Sequence, residues 1–251
     1  MEVHAHTHTV PIAIGRKKFI HYFWEFFMLF LAVFCGFLAE NFREHEVEHQ
    51  REKKYIISLI KDVELDIASL ENSYDLRKVQ IRYFDSLTGL LRQGYEKRTN
   101  DFYFYARHIT RSTRFQYHDR TIQQLKNSGN LRLIRNNDAA DSITVYDNEA
   151  IKTLLIQQDN EDELRKYIAT NLAGNVLSAF AWDEMNDSTG KISKPINSPS
   201  LITKDPKLLS AFTFNVIQLK ATLSFTNRHI IRATKSAKNL IELLKKEYHL
   251  E

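Results

Sequence analysis

Apolar and polar positions follow three regimes along this chain. From Phe19 to Ala39, FIHYFWEFFMLFLAVFCGFLA, the apolar residues are nearly continuous and Glu25 is the only formal charge. At about 1.5 Å per helical residue the run reaches roughly 32 Å, enough for the ~30 Å hydrocarbon core of a bilayer, so it predicts one membrane-spanning helix. From Tyr55 to Leu91 the apolar residues fall instead on a seam spaced by threes and fours. The seam runs Ile56, Ile60, Val63, Ile67, Leu70, Tyr74, Ile81, Phe84 and Leu91, interrupted by Arg77 and Thr88. The pattern returns from Pro206 to Tyr248 through Leu209, Phe212, Val216, Leu219, Leu223, Ile230, Ala233, Ala237, Leu240 and Leu244, with Thr226 as its polar exception. A sustained period near 3.5 residues calls for coiled-coil-like packing against partner helices.

These signals predict an all-α chain in five parts. Residues 1–18 form a His-containing tail and 19–39 the transmembrane helix. Residues 40–91 form a helical stalk that leaves the membrane through NFREHEVEHQREKK, a stretch of helix formers with alternating charge. Residues 92–205 are a distal helical region with a Gly-, Pro-, Ser- and Asn-rich loop at 186–205. Residues 206–251 are a heptad helix returning along the stalk, because the two heptad segments match in length at about 55 Å each. The expected architecture is therefore an antiparallel helical stalk with a distal helical cap. A parallel homodimer through the Ile56–Leu91 seam is the competing solution, and two hairpins assembled into one four-helix core would satisfy both. Locally, a short helix is expected over Asp119–Lys126 with Gly129 in the left-handed position after it, and Asn137 and Asp138 offer N-cap chemistry for the next helix. That helix is broken by the polar QQDNEDE at 157–163.

Composition narrows this picture. Only 7 Gly and 4 Pro in 251 residues argue against many-stranded architectures, which need more turn residues. The net charge of +4 implies no global field for nucleic acid. The stretch DFYFYARHITRSTRFQYHDR, rich in rings and arginine, reads as a packed aromatic cluster covered by arginine stems, so no nucleic-acid partner is expected. Cys35, the sole cysteine, lies inside the apolar run and permits no intrachain disulfide or zinc cluster. Arg16, Lys17 and Lys18 directly precede the span and predict a cytoplasmic N-terminus, with the bulk of the chain extracytoplasmic. Phe37 near the end of the run and Phe34 before Cys35 argue against a cleaved or lipidated signal.

Candidate chemistry is sparse. His4, His6 and His8 alternate on the tail, where three imidazoles can converge on Zn, Cu or Ni, although no Cys or ordered scaffold accompanies them. Glu25 stands one turn after His21 near the inner boundary of the span, which favours an interfacial or interhelical role over a proton relay. Traced backwards in sevens, the stalk seam continues into Glu25, Ala32, Cys35 and Ala39. Ala32 and Gly36 form a small-xxx-small pair on the same side, so these five residues make a possible helix-association face. His45 and His49 share a helix face without a third ligand. No nucleophile–base pair, paired carboxylates or phosphate cradle appears, so neither an enzyme nor a cofactor is expected.

The segments HYFWEFFMLFLAVFCGFLAENFREH, EKKYIISLIKDVELDIASL and TIQQLKNSGNLRLIRNNDAADSITVYDN resemble uncharacterised Bacteroidetes-type single-pass membrane proteins carrying a domain of unknown function. The resemblance rests on an N-terminal span with a Glu near its start, a polar exit, a long helix and the Leu-x-x-Ser-Gly-Asn-Leu turn at Leu125 to Leu131. It implies no activity and no functional residue. The expected function is a membrane-anchored extracytoplasmic scaffold or protein-interaction module, acting in the bilayer as a homo-oligomer or with a membrane protein. The alternative is a ligand-binding, sensor-like domain acting through a membrane partner.

Overall fold

A computed structural model of the chain describes residues 15–186 and 188–250, with side chains from position 19 onward. The described residues are all-α, with no strand and one isolated bridge between Asn186 and Ile192. The helices are α1 (Gly15–Gln93), α2 (Thr99–Arg107), α3 (Arg120–Asn127), α4 (Asn137–Val145), α5 (Lys152–Asn171), α6 (Ala179–Asp183) and α7 (Pro206–Glu247). A π-turn, Tyr146–Ile151, joins α4 to α5 without a break. Contacts divide the chain into two compact units, Met1–Lys53 and Lys54–Glu251.

In the first unit every described side chain of the 19–39 run is exposed, including Phe19, Trp24, Phe30 and Phe37. Phe26, Phe30 and Phe34 stack along the helix at the i,i+4 spacing, with ring centroids 6.5 and 5.9 Å apart.

In the second unit α1 and α7 run antiparallel. Glu71 pairs with Lys238 at 2.8 Å, Arg77 donates to Asn227 at 3.0 Å and Asp85 pairs with Lys220 at 2.7 Å, so numbers rise on one helix as they fall on the other. Asp205 starts α7 by accepting from the Lys207 N–H, with Pro206 at the first helical position. The heptad seams are consumed inside the chain: Ile56, Ile60, Val63, Leu70 and Phe84 of α1 are buried, as are the α7 seam residues from Phe212 to Leu244. Ile67, Tyr74, Ile81 and Leu91 of the same α1 seam are partly buried, so most of the seam is used within one chain.

Residues 92–205 do two things. Part of them, including α2 and α6, packs over the end of α1 and the start of α7 in an apolar cluster containing Phe84, Leu87, Phe102, Tyr103, Val176 and Phe212. The rest lies alongside α1. An extended strap through residues 111–119 leads into α3, and the α4–π–α5 rod runs parallel to α1, with Tyr146 bonded to Asp66 and Arg165 to Gln80. A second apolar cluster gathers Ile56, Leu59, Leu70, Ile122, Ile143, Leu154, Ile230 and Leu244. Each large aliphatic side chain so buried contributes about 1.5–3 kcal/mol before its ordering cost.

One local expectation needs adjusting and another holds. The N-cap of α4 is Asn136, whose side chain accepts from the Ala139 N–H at 2.9 Å, one residue earlier than Asn137. Gly129 does take the left-handed conformation after α3, at φ +65°.

Candidate functional site

The residues singled out in the span lie on an uncovered helix. Glu25, Ala32, Cys35, Gly36 and Ala39 are all exposed and share an arc of roughly 100° at helical periodicity. A Cβ built on Gly36 meets nothing within 4 Å, so this face of the helix is open. His21 Nε2 lies 3.2 Å from Glu25 Oε1 along the same helix. His49 lies 3.7 Å from Glu52. His4, His6 and His8 fall outside the described residues.

The second unit holds a feature that apolar periodicity does not show. Beside its apolar seam, α1 carries a second row at the same three-and-four spacing: Ser58, Asp62, Asp66, Ser69, Ser73, Arg77 and Gln80. This row is polar throughout, and the strap, α3 and the α4–α5 rod are fastened to it. Asp62 accepts from Arg120 at 2.9 Å and from the Thr121 N–H at 3.0 Å, so a carboxylate of α1 caps the first turn of α3. Asp66 accepts from the His118 N–H and the Tyr146 hydroxyl, each at 2.7 Å. Ser69 accepts from the Gln116 N–H at 2.9 Å. Gln80 donates to the Arg111 carbonyl at 2.8 Å.

The π-turn matters here. Tyr146 and Asp147 are consecutive, yet both are buried and both enter the network, an orientation the wider turn permits. Asp147 accepts from Tyr117 at 2.7 Å and pairs closely with Lys126, with Lys152 at 3.6 Å. Burial alone would raise the Asp147 carboxyl, but its bonds from Lys126 and Tyr117 bring it below the ordinary carboxylate range. Asp66 goes the other way: burial raises it, and the bonds from Tyr146 and His118 offset only part of that. Burial, together with the facing carboxylates, raises both tyrosine hydroxyls.

At its far end the row forms a charged layer between the two apolar clusters. Arg77, 1% exposed, donates through Nε to Asn227 of α7 at 3.0 Å and through Nη1 to the Thr113 carbonyl at 3.0 Å, while Nη2 pairs closely with Glu161. Glu161 also accepts from Arg165 Nε at 3.0 Å. Arg165 in turn donates to the Ile109 carbonyl at 2.9 Å and to Gln80 at 2.8 Å. Burial pulls the Arg165 guanidinium below its ordinary range, with Glu161 opposing. One turn earlier on each helix, the Ser73 hydroxyl and both amide atoms of Gln158 are buried without a hydrogen-bond partner. In this arrangement the carboxylates of Asp66 and Glu161 are engaged by donors from neighbouring segments. Its evident work is to tie the strap, α5 and α7 to α1. Among the described residues no group of three or more His, Cys, Asp or Glu is placed to hold a metal ion.

No family model, curated protein or solved structure matches the chain.

The sequence signals for the layer were Arg77 and Thr226, the polar interruptions of two apolar seams. Arg77 is its centre, and Thr226 is buried beside Asn227. Glu161 lay hidden inside QQDNEDE, which reads as a solvated break. Buried Leu154, Gln158, Glu161, Arg165 and Ile168 in fact keep the three-and-four spacing through it.

Proposed function

We propose that the protein is a membrane-anchored helical interaction module, held in a bacterial inner membrane by residues 19–39, with its N-terminus cytoplasmic and the bundle of residues 54–250 on the periplasmic side. The observation that carries this reading is the contrast between the two helices long and apolar enough to cross a bilayer. The most apolar window at the N-terminal end of α1 has a mean hydropathy of 1.9 and none of it is buried, whereas the window in α7 reaches only 1.2 and is 22% buried, with the α7 seam from Phe212 to Leu244 in the core. An uncovered apolar run of this length needs lipid or protein around it. The cations at 16–18 support the orientation. A non-enzymatic role is supported by the layer, whose carboxylates face guanidinium, hydroxyl and backbone donors of the same chain. The test is carbonate extraction of membranes followed by protease treatment of spheroplasts. The expected result is retention in the pellet with the bundle digested from outside. Release by carbonate, or protection of the bundle in intact spheroplasts, would sink the reading.

One observation favours the sensor-like alternative. A groove of about 530 Å³ beside α6 is lined by Leu177, Phe180, Trp182 and Ile202, a surface suited to an apolar ligand. Mass spectrometry of the purified chain decides it, since a stoichiometric co-purifying small molecule is required.

A further inference from the structure

The outer face shared by α1 and α7 is divided by charge. Between the helices runs a groove of about 520 Å³ with Tyr74 and Ile230 among its lining residues. The α1 wall carries Glu71 and Asp75, and the α7 wall carries Lys235 and Lys238 beside Ile231, which is 53% exposed. Glu71 and Lys238 pair across it and remain more than half exposed. Because α7 runs antiparallel, Lys235, one turn back from Lys238, comes level with Asp75, one turn on from Glu71. Asp75 nonetheless pairs with Lys78 of its own helix at 4.0 Å.

An acidic wall beside a basic wall is self-complementary under one symmetry. A twofold axis parallel to the helices and lying in this face sets α1 of one copy over α7 of the other, keeping every residue at its own level. Asp75 then meets the Lys235 position of a second copy, and the exposed Ile231 side chains enter the same interface. A twofold across the helices would instead stack acid on acid. We propose that this groove is the homodimer interface of the protein, its occupant a second copy of the same chain docked about a twofold parallel to α1 and α7. The inference deepens the interaction-module reading, on which it rests, by naming the partner.

The test is sedimentation of the full chain in density-matched detergent. The wild type should dimerise, Lys235→Glu and Asp75→Lys should each weaken the dimer at least tenfold, and the double variant should return toward wild type. Circular dichroism melting controls for folding, and both positions are exposed. A wild type that stays monomeric, single variants that dimerise normally, or a folded double variant that stays weak would each overturn the interface. Its failure is distinct from failure of the anchor, because an extractable dimer defeats only the anchor and a retained monomer defeats only the interface.

Discussion

The apolar cluster around Leu219 and the charged layer around Glu161 occupy neighbouring turns of the same helices, yet they should respond differently to loss of a side chain. In the cluster a truncation leaves a cavity that its neighbours partly fill. In the layer a truncation leaves charge without a counterion, and no packing adjustment supplies one. The difference teaches that burial alone does not rank positions, because the partner left behind sets the cost.

The largest effect should therefore come from Glu161→Ala, which strands Arg77 and Arg165 in the interior. Loss of one partner from a buried ion pair costs about 3–5 kcal/mol, and here two cations lose it together, so the upper end is expected. Leu219→Ala, fully buried in the apolar cluster, should cost about 3 kcal/mol. Guanidinium unfolding of both variants in detergent compares them directly, and a smaller loss for Glu161→Ala would break the contrast. A smaller effect of opposite sign is expected within the layer itself. Gln158→Leu removes two buried, unpartnered polar atoms and should raise stability by about 1 kcal/mol in the same measurement.

A pH dependence sharpens the boundary of the layer. His108 lies in the aromatic group of Tyr83 and Phe104, with ring centroids 4.4 and 5.2 Å away. Burial, followed by the charges of Arg111, Arg107 and Arg165, lowers its pKa from 6.5 to about 4. A depressed imidazole pKa means that the unfolded chain binds the proton first. Its stabilising contribution is complete above about pH 6.5 and is lost as the pH falls towards 4. The imidazole proton resonances of His108 should titrate near pH 4 in NMR spectra, and a midpoint near 6.5 would show that the ring is wetter and less crowded by cations than its position indicates.

The all-α class and both heptad seams were legible because apolar spacing is a direct record of which helix face meets other protein. The start of α7 and the turn at Gly129 were legible for a similar local reason. What periodicity could not disclose was the polar row of α1. Asp62, Asp66, Ser69 and Gln80 look like a solvated face, since a buried carboxylate and an exposed one are spelled alike in sequence. Their partners lie far along the chain: Tyr146 meets Asp66 from 80 positions away, and Asn227 meets Arg77 from 150. Only the seam interruptions at Arg77 and Thr226 carried a sequence trace of the layer. The parallel course of α4–α5 beside α1 was hidden for the same reason, because the row that holds it is polar.

The layer has a further consequence for alignment. Apolar seams repeat, so α1 could slide by seven residues past α5 and still set aliphatic side chains against one another. Such a slide would bring Leu70 or Phe84 to the place of Arg77, leaving Glu161 dry and without that counterion. A repeating ruler thus carries one unrepeated mark, and the helices can be read against each other at a single setting.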